Sequence, residues 1–322
     1  MKSFKNLLLI LLAGIFPLSA LYAQEVTIPK LIKIVVPFSP GGSNDIFARA
    51  LGQRLAVKLG VMVIVDNRPG AGGTIGALAV ANAEPDGSTL LLNSVSFSTN
   101  AAIQAKLPYD PIKSFEAVAM LNRGPMLLVT GANLPYKSVD DVLRAIRSPR
   151  NDINFGSAGL GSIGHFSGEL LNAMGRGNAV HVPYKGITNA ATDMMGGQLQ
   201  IMIATAASVA GPLRAGNIRA LAVTTANRSK FAPELPSIAE ALPGFEVESW
   251  WGVFAPAKTP KPMVERLNRE IRAIAETQEM RELFSRESTE PSDMSSQQFA
   301  EFVKKEVLKW RALTKDRNLS VN

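Results

Sequence analysis

The sequence contains no cysteine and only two histidines, and these shortages exclude several kinds of protein chemistry. Without cysteine, the 322-residue chain has no disulfide, thiolate metal site, cysteine nucleophile or iron–sulfur cluster. His165 and His181 alone cannot supply a three-histidine metal site within one chain. With 46% hydrophobic and 19% charged residues, the chain is too apolar to be disordered and has an ordinary globular composition. We expect neither a metal nor a cofactor.

The chain also lacks a concentrated basic tract. Its 34 Lys and Arg exceed its 27 Asp and Glu by 7, but the basic residues are scattered and accompanied by acids. No basic segment is interleaved with aromatic residues, so the sequence does not indicate a nucleic-acid partner. The small positive excess favours anionic ligands only faintly.

Long apolar runs are missing except near the N-terminus, where Leu7 to Phe16 is apolar and follows a basic start. Small residues then precede a polar segment, which is typical of a secretory signal peptide. We assign it to residues 1–23, with cleavage after Ala20 or Ala23. A membrane anchor is the weaker interpretation, because a spanning helix needs roughly 20 apolar residues. We expect an exported, soluble, unlipidated protein, and removal of two lysines leaves a net charge of 32 − 27, or +5.

The rest of the chain alternates short β-branched runs with helical patterns, which predicts parallel sheets with crossover helices. Two long apolar stretches, residues 115–130 and 218–225, have two equally good interpretations. Each is either a segment crossing between two lobes or part of a strand–turn–strand unit within one domain. In the first stretch, Arg123-Gly124-Pro125 predicts a bend.

The most informative segment is Val36-Pro37-Phe38-Ser39-Pro40-Gly41-Gly42-Ser43-Asn44-Asp45. It reads as a buried strand, a glycine turn and a helix that Ser43 or Asn44 can cap. The unpaired N–H groups at such a helix start suit a carboxylate or phosphate. The plainer interpretation is a tight, well-capped strand-to-helix turn without a ligand.

A second segment, Asn154-Phe155-Gly156-Ser157-Ala158-Gly159-Leu160-Gly161-Ser162-Ile163-Gly164-His165, repeats this arrangement and matches G-x-G-x-x-G. A dinucleotide site is nevertheless disfavoured, because the next predicted strand ends in Pro183-Tyr184-Lys185 without the acid that would hold a ribose. Ser162 and His165 lie three apart on one helix face, which leaves a secreted esterase or amidase as a remote alternative. No serine lies in a G-x-S-x-G elbow, and structural roles for both histidines are the simpler interpretation.

A third donor-rich loop, residues 94–100, also follows a predicted buried strand. Taken alone, such a loop is usually a solvated cap. Several donor-rich loops at the carboxyl ends of strands are harder to dismiss, because ligands of open α/β sheets bind there.

Taken together, these motifs resemble the solute receptors of tripartite tricarboxylate transporters, also called the Bug family of periplasmic binding proteins. The resemblance covers essentially the whole chain after the signal peptide. The motifs that carry it are Val36-Pro37-Phe38-Ser39-Pro40-Gly41-Gly42, Asp66-Asn67-Arg68-Pro69-Gly70-Ala71-Gly72-Gly73, Pro85-Asp86-Gly87, Tyr109-Asp110-Pro111, His181-Val182-Pro183-Tyr184-Lys185-Gly186, Arg219-Ala220-Leu221-Ala222-Val223-Thr224 and Ala255-Pro256-Ala257.

The resemblance implies an α/β fold, that of a two-lobed, type II-like periplasmic binding protein with its ligand cleft between the lobes. It favours the two-crossing interpretation of the apolar stretches. We expect lobe 1 to comprise residues 24–124 and 226–292. Lobe 2 would comprise residues 125–225 and 293–322, with the C-terminal helix packing back.

In this family, matching loops of the two lobes hold a ligand carboxylate, partly through ordered water. Many relatives also carry an acid shortly after Gly196-Gly197-Gln198, whereas this chain has Ile203-Ala204-Thr205-Ala206, which disfavours an amino-acid ligand. Trp250 and Trp251 are candidates for the cleft lining, although core positions are simpler. We predict ligand contacts from Phe38, Ser39, Pro40, Gly41, Gly42, Ser43, Asp45, Ser94, Ser96, Ser157, Ala158, Gly159, Gly161, Ser162, His165, Tyr184 and Thr205.

The function this implies is capture of a small organic carboxylate by a monomeric periplasmic receptor, which delivers it to membrane transporter subunits without chemistry on the ligand. The alternative within binding proteins is a receptor that presents its ligand to a membrane sensor kinase. The residues do not identify which carboxylate is bound.

Overall fold

The computed structural model describes residues 27–104, 106–150, 152–184 and 186–319. The signal peptide that we predict at residues 1–23 lies outside this part of the chain. Within the described residues, no helix combines the length and apolarity that crossing a bilayer requires.

Strands and helices alternate along most of the chain, as the sequence pattern predicts. The strands are β1 (Leu31–Val36), β2 (Met62–Asn67), β3 (Thr89–Ser94), β4 (Phe115–Gly131), β5 (Asn154–Ser157), β6 (Val180–Pro183), β7 (Ile201–Thr205), β8 (Ile218–Val223), β9 (Glu248–Pro256) and β10 (Glu290–Pro291). The helices are α1 (Ser43–Leu59), α2 (Thr74–Ala81), α3 (Ser96–Ile103), α4 (Val139–Ile146), α5 (Ile163–Gly175), α6 (Ile187–Met195), α7 (Ala206–Arg214), α8 (Ile238–Ala241), α9 (Lys261–Ala275), α10 (Gln278–Arg286) and α11 (Ser296–Asp316).

Two sheets share one long strand, β4. The first sheet runs β2-β1-β3-β9-β4, with β10 on the far side of β4, and the second contains β6-β5-β7 together with β4 and β8. In the first sheet β1, β2 and β3 are parallel, and in the second β5, β6 and β7 are parallel. Both sheets therefore place a central parallel strand, β1 or β5, between its two parallel neighbours. This arrangement is the two-lobed α/β fold.

β4 belongs to both sheets at the place where the sequence predicts the first crossing between lobes, and it contains no break at Gly124-Pro125. β4 continues through this dipeptide, pairing with β9 as far as Pro125 and with β7 from Met126 onward. Proline has no N–H to donate, so a position where the strand exchanges partners accommodates it. A Cβ on Gly124 would lie 2.5 Å from the Ser288 carbonyl oxygen, so the close packing of a neighbouring segment requires glycine there.

The second crossing lies later in the chain than the predicted boundary at residue 226. β8 pairs with β4 in the second sheet, and Ile238, Phe245 and Val247 still pack in the second lobe's core. The chain returns to the first sheet as β9, whose first residue, Glu248, pairs with Pro125. The apolar pattern of β8 is that of a buried strand, and the pattern alone does not say in which sheet the strand pairs.

The C-terminal helix also differs from its expected place in the second lobe alone. In α11, Phe299 and Val303 pack into the first lobe's core, whereas Trp310 and Leu313 pack into the second lobe's core. The helix thus lies along both lobes. Trp250 and Trp251 of β9 are buried on opposite faces of the first sheet, so both belong to the core.

Candidate ligand-binding site

The carboxyl ends of the parallel strands in both sheets meet near the crossing strands. The last residue of β3, Ser94, pairs with Trp251 of β9, which in turn pairs with Asn122 of β4. The last residue of β7, Thr205, pairs with Met126 of β4. Asn122 and Met126 are four residues apart, which corresponds to about 13 Å along a strand. The carboxyl ends of β3 and β7 therefore face each other about this far apart along β4, and we call the region between them the cleft.

The strand order also places this cleft where α/β sheets bind ligands. In the first sheet the chain leaves β1 toward β2 on one side and then returns to β3 on the other side. The second sheet repeats this pattern with β5, β6 and β7. The crevice outside the carboxyl ends at such a switch point is the usual ligand site. The segments that follow β1, β3, β5 and β7 contain most of the predicted site residues.

The first cleft loop, residues 38–43, leads from β1 into α1. The N-cap of α1 is Gly42, and no side chain caps the helix, so the predicted capping by Ser43 or Asn44 is wrong. The carbonyl of Gly42 accepts hydrogen bonds from Asp45 and Ile46. Within the described part of the chain, no group accepts from the N–H groups of Gly42, Ser43 and Asn44. Helix N–H groups point out of the N-terminus, so these three are available to an anion.

Asp45, which we predicted to contact the ligand, instead engages the loop itself. Its buried carboxylate accepts from the Gly41 N–H at 3.0 Å, from Asn67 at 2.9 Å and from the Arg49 guanidinium at 2.9–3.0 Å. The hydrogen bond from Arg49 is the largest cause that lowers the pKa of Asp45 to about 2. A carboxylate with these three partners fixes the loop and stays ionised near neutral pH.

Asn67, at the end of β2, supports the first cleft loop, a contact that sequence reasoning missed. Its amide nitrogen donates both to Asp45 and, at 3.1 Å, to the Phe38 carbonyl at the start of the first cleft loop. The residue lies in one of the family motifs, but nothing in the local pattern indicated that its side chain reaches back to β1. The pairing of β1 with β2 brings the two together.

Two hydroxyl pairs lie at the carboxyl ends of the equivalent strands β3 and β7. In the first lobe, Ser94 Oγ and Ser96 Oγ are 2.8 Å apart. In the second lobe, Thr205 Oγ1 donates to Ser208 Oγ at 2.9 Å. Each pair precedes or begins a helix that starts without a side-chain cap, α3 or α7. Both strand ends therefore carry paired hydroxyls beside a helix start.

The second cleft loop, residues 157–162, leads from β5 into α5. Gly159 and Gly161 have φ values of +118° and +78°, a backbone region that only glycine adopts without strain. Ser162 is the N-cap: its hydroxyl accepts from the His165 N–H at 3.3 Å and donates to the Gly159 carbonyl at 2.7 Å. Ala158 lies exposed beside these glycines. Among the described residues, no group accepts from the N–H groups of Ile163 and Gly164, which leaves a second helix start for an anion.

The structure does not assemble a hydrolytic centre from Ser162 and His165. The contact between them uses the backbone N–H of His165, while its ring Nδ1 accepts from the Gly161 N–H at 3.3 Å. The serine beside an imidazole is Ser157, whose Oγ lies 2.7 Å from Nε2 of His181. Ser157 is fully buried behind the loop, so its hydroxyl has no path to a ligand ester.

Tyr184 follows β6, at the outer side of the second lobe's parallel strands. Its hydroxyl donates to Asp193 at 2.7 Å, and burial together with this carboxylate raises the pKa of Tyr184 to about 12. The phenol therefore stays protonated, and Asp193 is occupied by it. Neither Tyr184 nor Asp193 therefore provides a free carboxylate here.

A separate cavity of about 410 Å³ lies beyond β4 and β10, on the edge of the crossing strands away from β3. None of the predicted ligand contacts line it. Of its charged groups, Arg123 pairs with Glu248 at 3.3 Å, Arg228 with Glu240 at 2.8 Å and Lys230 with Glu290, whereas the Glu246 carboxylate has no salt-bridge partner among the described residues. The unpaired charge in this cavity is therefore negative and does not favour a carboxylate ligand.

The two-lobed fold with donor loops facing one cleft defines the class of periplasmic solute-binding proteins. A family model described as the tripartite tricarboxylate transporter family receptor matches residues 47–319. The chain belongs to this family.

Individual relatives agree with this membership. Protein BugT of Bordetella pertussis is 33% identical over 316 residues, covering 96% of this chain and 97% of the relative. Among solved structures, Rpa4515 of R. palustris with adipate is 34% identical with a TM-score of 0.78, covering 90% of this chain and 98% of that one. MatC of Rhodopseudomonas palustris with bound malate is 31% identical with a TM-score of 0.75, covering 88% and 98%.

Proposed function

We propose that this protein is a periplasmic receptor that closes its two lobes around a small carboxylate and delivers it to a tripartite tricarboxylate-type membrane transporter. The observation that carries the proposal is the pair of helix starts, at α1 and α5, whose free N–H groups belong to opposite lobes. Such groups bind an anion through backbone donors and the helix dipole. Neither cleft loop contains a lysine or arginine, so the backbone performs this role.

The chemistry of the cleft favours a ligand with carboxylate and hydroxyl groups and no amino group. A ligand ammonium would need a free carboxylate, but Asp45 is bound to Arg49 and Asn67, and Asp193 is bound to Tyr184. The hydroxyl pairs at the ends of β3 and β7 can donate to or accept from a second polar group of the ligand. Adipate and malate, bound by two structural neighbours, both carry carboxylates and no amino group, and malate also carries a hydroxyl.

The predicted contacts divide into two groups under this proposal. The groups that touch the ligand, directly or through water, are the backbone of the two cleft loops and the hydroxyls of Ser39, Ser43, Ser94, Ser96 and Thr205. Asp45 and Ser157 act behind the loops and fix their shape. Water bridges allow such a site to accept ligands of differing length with little loss of strength.

Closure in this proposal is a hinge movement about β4 and β9, which connect the lobes. The observed binding free energy is then the binding free energy of the closed state less the free energy that closing the lobes costs. We infer that the receptor acts as a monomer and performs no chemistry on its ligand. Reconstituted vesicles containing the membrane subunits should take up the ligand only when this protein is added.

A thermal-shift screen followed by calorimetry tests ligand capture. Adipate and malate should raise the melting temperature, because a ligand at 100 times its Kd stabilises the folded state by about 2.7 kcal/mol. The matched control is adipamide, which has the same chain length without carboxylates and should have no effect. Glutamate tests the exclusion of amino groups. Equal stabilisation by adipamide and adipate, or none by any carboxylate, would contradict the proposal.

A further inference from the structure

The two histidines, distant in sequence, form one stacked pair behind the second cleft loop. The ring centroids of His165 and His181 are 4.0 Å apart with an angle of 20° between the ring planes. Phe155 stacks on the other face of His181 at 4.9 Å, and Phe166 packs edge-on against His165. The ligand chemistry proposed above does not require these rings, so their polar atoms need a separate explanation.

Each imidazole uses one ring nitrogen to hold a different point of the loop. His165 Nδ1 accepts from the N–H of Gly161 at 3.3 Å, and His181 Nε2 lies 2.7 Å from Ser157 Oγ. Ser157 Oγ also accepts from the N–H of Gly159 at 3.1 Å. The two rings therefore fix both glycines that have positive φ. A loop containing two such glycines has many alternative conformations, and these bonds select one of them.

The environment keeps both rings neutral. Burial lowers the pKa of His165 to about 4, and burial together with the neighbouring His165 lowers that of His181 to about 3. A neutral ring retains a lone pair on one nitrogen, which His165 needs in order to accept from Gly161. A phenylalanine at either position would keep the stacking and lose the polar atom.

We propose that His165 and His181 are positioning residues that preset the second cleft loop for a ligand carboxylate, His165 through the Gly161 amide and His181 through the Ser157 hydroxyl. This rests on the proposed function, and it assigns His165 a place behind the loop instead of a direct ligand contact. The backbone N–H groups of Ala158 and Leu160, for which the described residues provide no acceptor, then remain free on the exposed side of the loop.

Matched substitutions separate the polar role from the packing role. His165→Phe keeps the aromatic ring and removes the acceptor, whereas His165→Asn keeps an acceptor near the Nδ1 position and removes the ring. If the proposal holds, His165→Phe weakens adipate or malate binding about tenfold, equivalent to about 1.4 kcal/mol, and His165→Asn stays within about threefold of wild type. The reverse order would assign the ring to packing alone and overturn the proposal.

The Gly161 amide provides a readout that packing does not determine. Its hydrogen exchange should accelerate in His165→Phe and stay slow in His165→Asn, measured without any ligand. For the second contact, Ser157→Ala and His181→Phe remove the two ends of one bond. Their double variant should therefore lose no more affinity than the worse single variant. Additive losses would contradict a shared bond.

These experiments distinguish two kinds of failure. If wild-type protein binds no carboxylate in the screen, the proposed function fails, while Gly161 exchange still reports on the histidine contact. If wild type binds but His165→Phe binds equally well with unchanged Gly161 exchange, the proposed function stands and the positioning role is refuted.

Discussion

Replacing Asp45 by asparagine removes the charge that fixes the first cleft loop and leaves the side chain's size unchanged. The pKa of Asp45 falls from 3.8 to about 2 on folding. At about 1.36 kcal/mol per pKa unit, this corresponds to roughly 2.4 kcal/mol of stability near neutral pH. The Arg49 side chain is 55% exposed, so solvent screening reduces the expected loss to about 1–2 kcal/mol.

The direction of the pH dependence follows from the lowered pKa of Asp45. Because the folded pKa lies below the unfolded value, the contribution is complete above about pH 4 and is lost as the pH falls through about 2. Urea unfolding should show a full difference between wild type and Asp45→Asn at pH 7 and roughly half of it at pH 3. The variant should also bind adipate more weakly, because the single amide oxygen of asparagine cannot accept from both Gly41 and Asn67 as the two carboxylate oxygens do.

Asp66→Asn is the matched control for this measurement. Asp66 pairs with Arg68 at 2.8 Å, but both side chains are substantially exposed, 30% and 43%, so its removal should cost below about 0.5 kcal/mol. An Asp45→Asn protein as stable as wild type at pH 7 would refute the reasoning. A difference that stays constant down to pH 3 would do the same.

Four further substitutions, one of them a control, test the loops and the packing behind them. Gly41→Ala should weaken ligand binding about tenfold in calorimetry, because φ is +89° at this position and an L-residue there costs about 1–2 kcal/mol. Gly42→Ala is the control and should bind normally, because φ is −82° and the space around its Cβ is open. Gly164→Ala should lower the unfolding free energy by about 1–3 kcal/mol in urea titration, since its Cβ would lie 2.9 Å from the Ile203 carbonyl oxygen. Trp310→Ala should cost about 3–5 kcal/mol in the same assay, because the ring is fully buried in the second lobe's core. Equal binding by the two loop variants, or unfolding unchanged by either packing variant, would contradict the corresponding argument.

The sequence predicts the two cleft loops well because their signals are local. A buried apolar run, a glycine turn and a helical pattern follow one another within a dozen residues, as at Val36–Asp45. Each of these patterns determines the backbone conformation of its own segment. The chain contains too few acids and basic residues in these loops to suggest any other binding chemistry. The backbone N–H groups of these loops were therefore the basis for predicting an anion site.

The contacts that hold the loops could not be predicted, because they depend on strand pairing. Asn67 reaches the first cleft loop only because β2 pairs with β1, and His181 reaches His165 only because β5 pairs with β6. The second crossing shows the same limit. β8 and β9 are both buried apolar strands, and only the pairing with β4 decides which one connects the lobes.

Nitrogen–proton correlation NMR of the protein titrated with adipate tests the central claim most directly. If backbone donors of both lobes bind the carboxylate, the amide signals of Gly42, Ser43, Ile163 and Gly164 should shift together and saturate with one Kd. Adipamide should leave these signals unchanged. Shifts confined to one lobe, or to the cavity beside Arg123, would contradict a carboxylate site built from two facing helix starts.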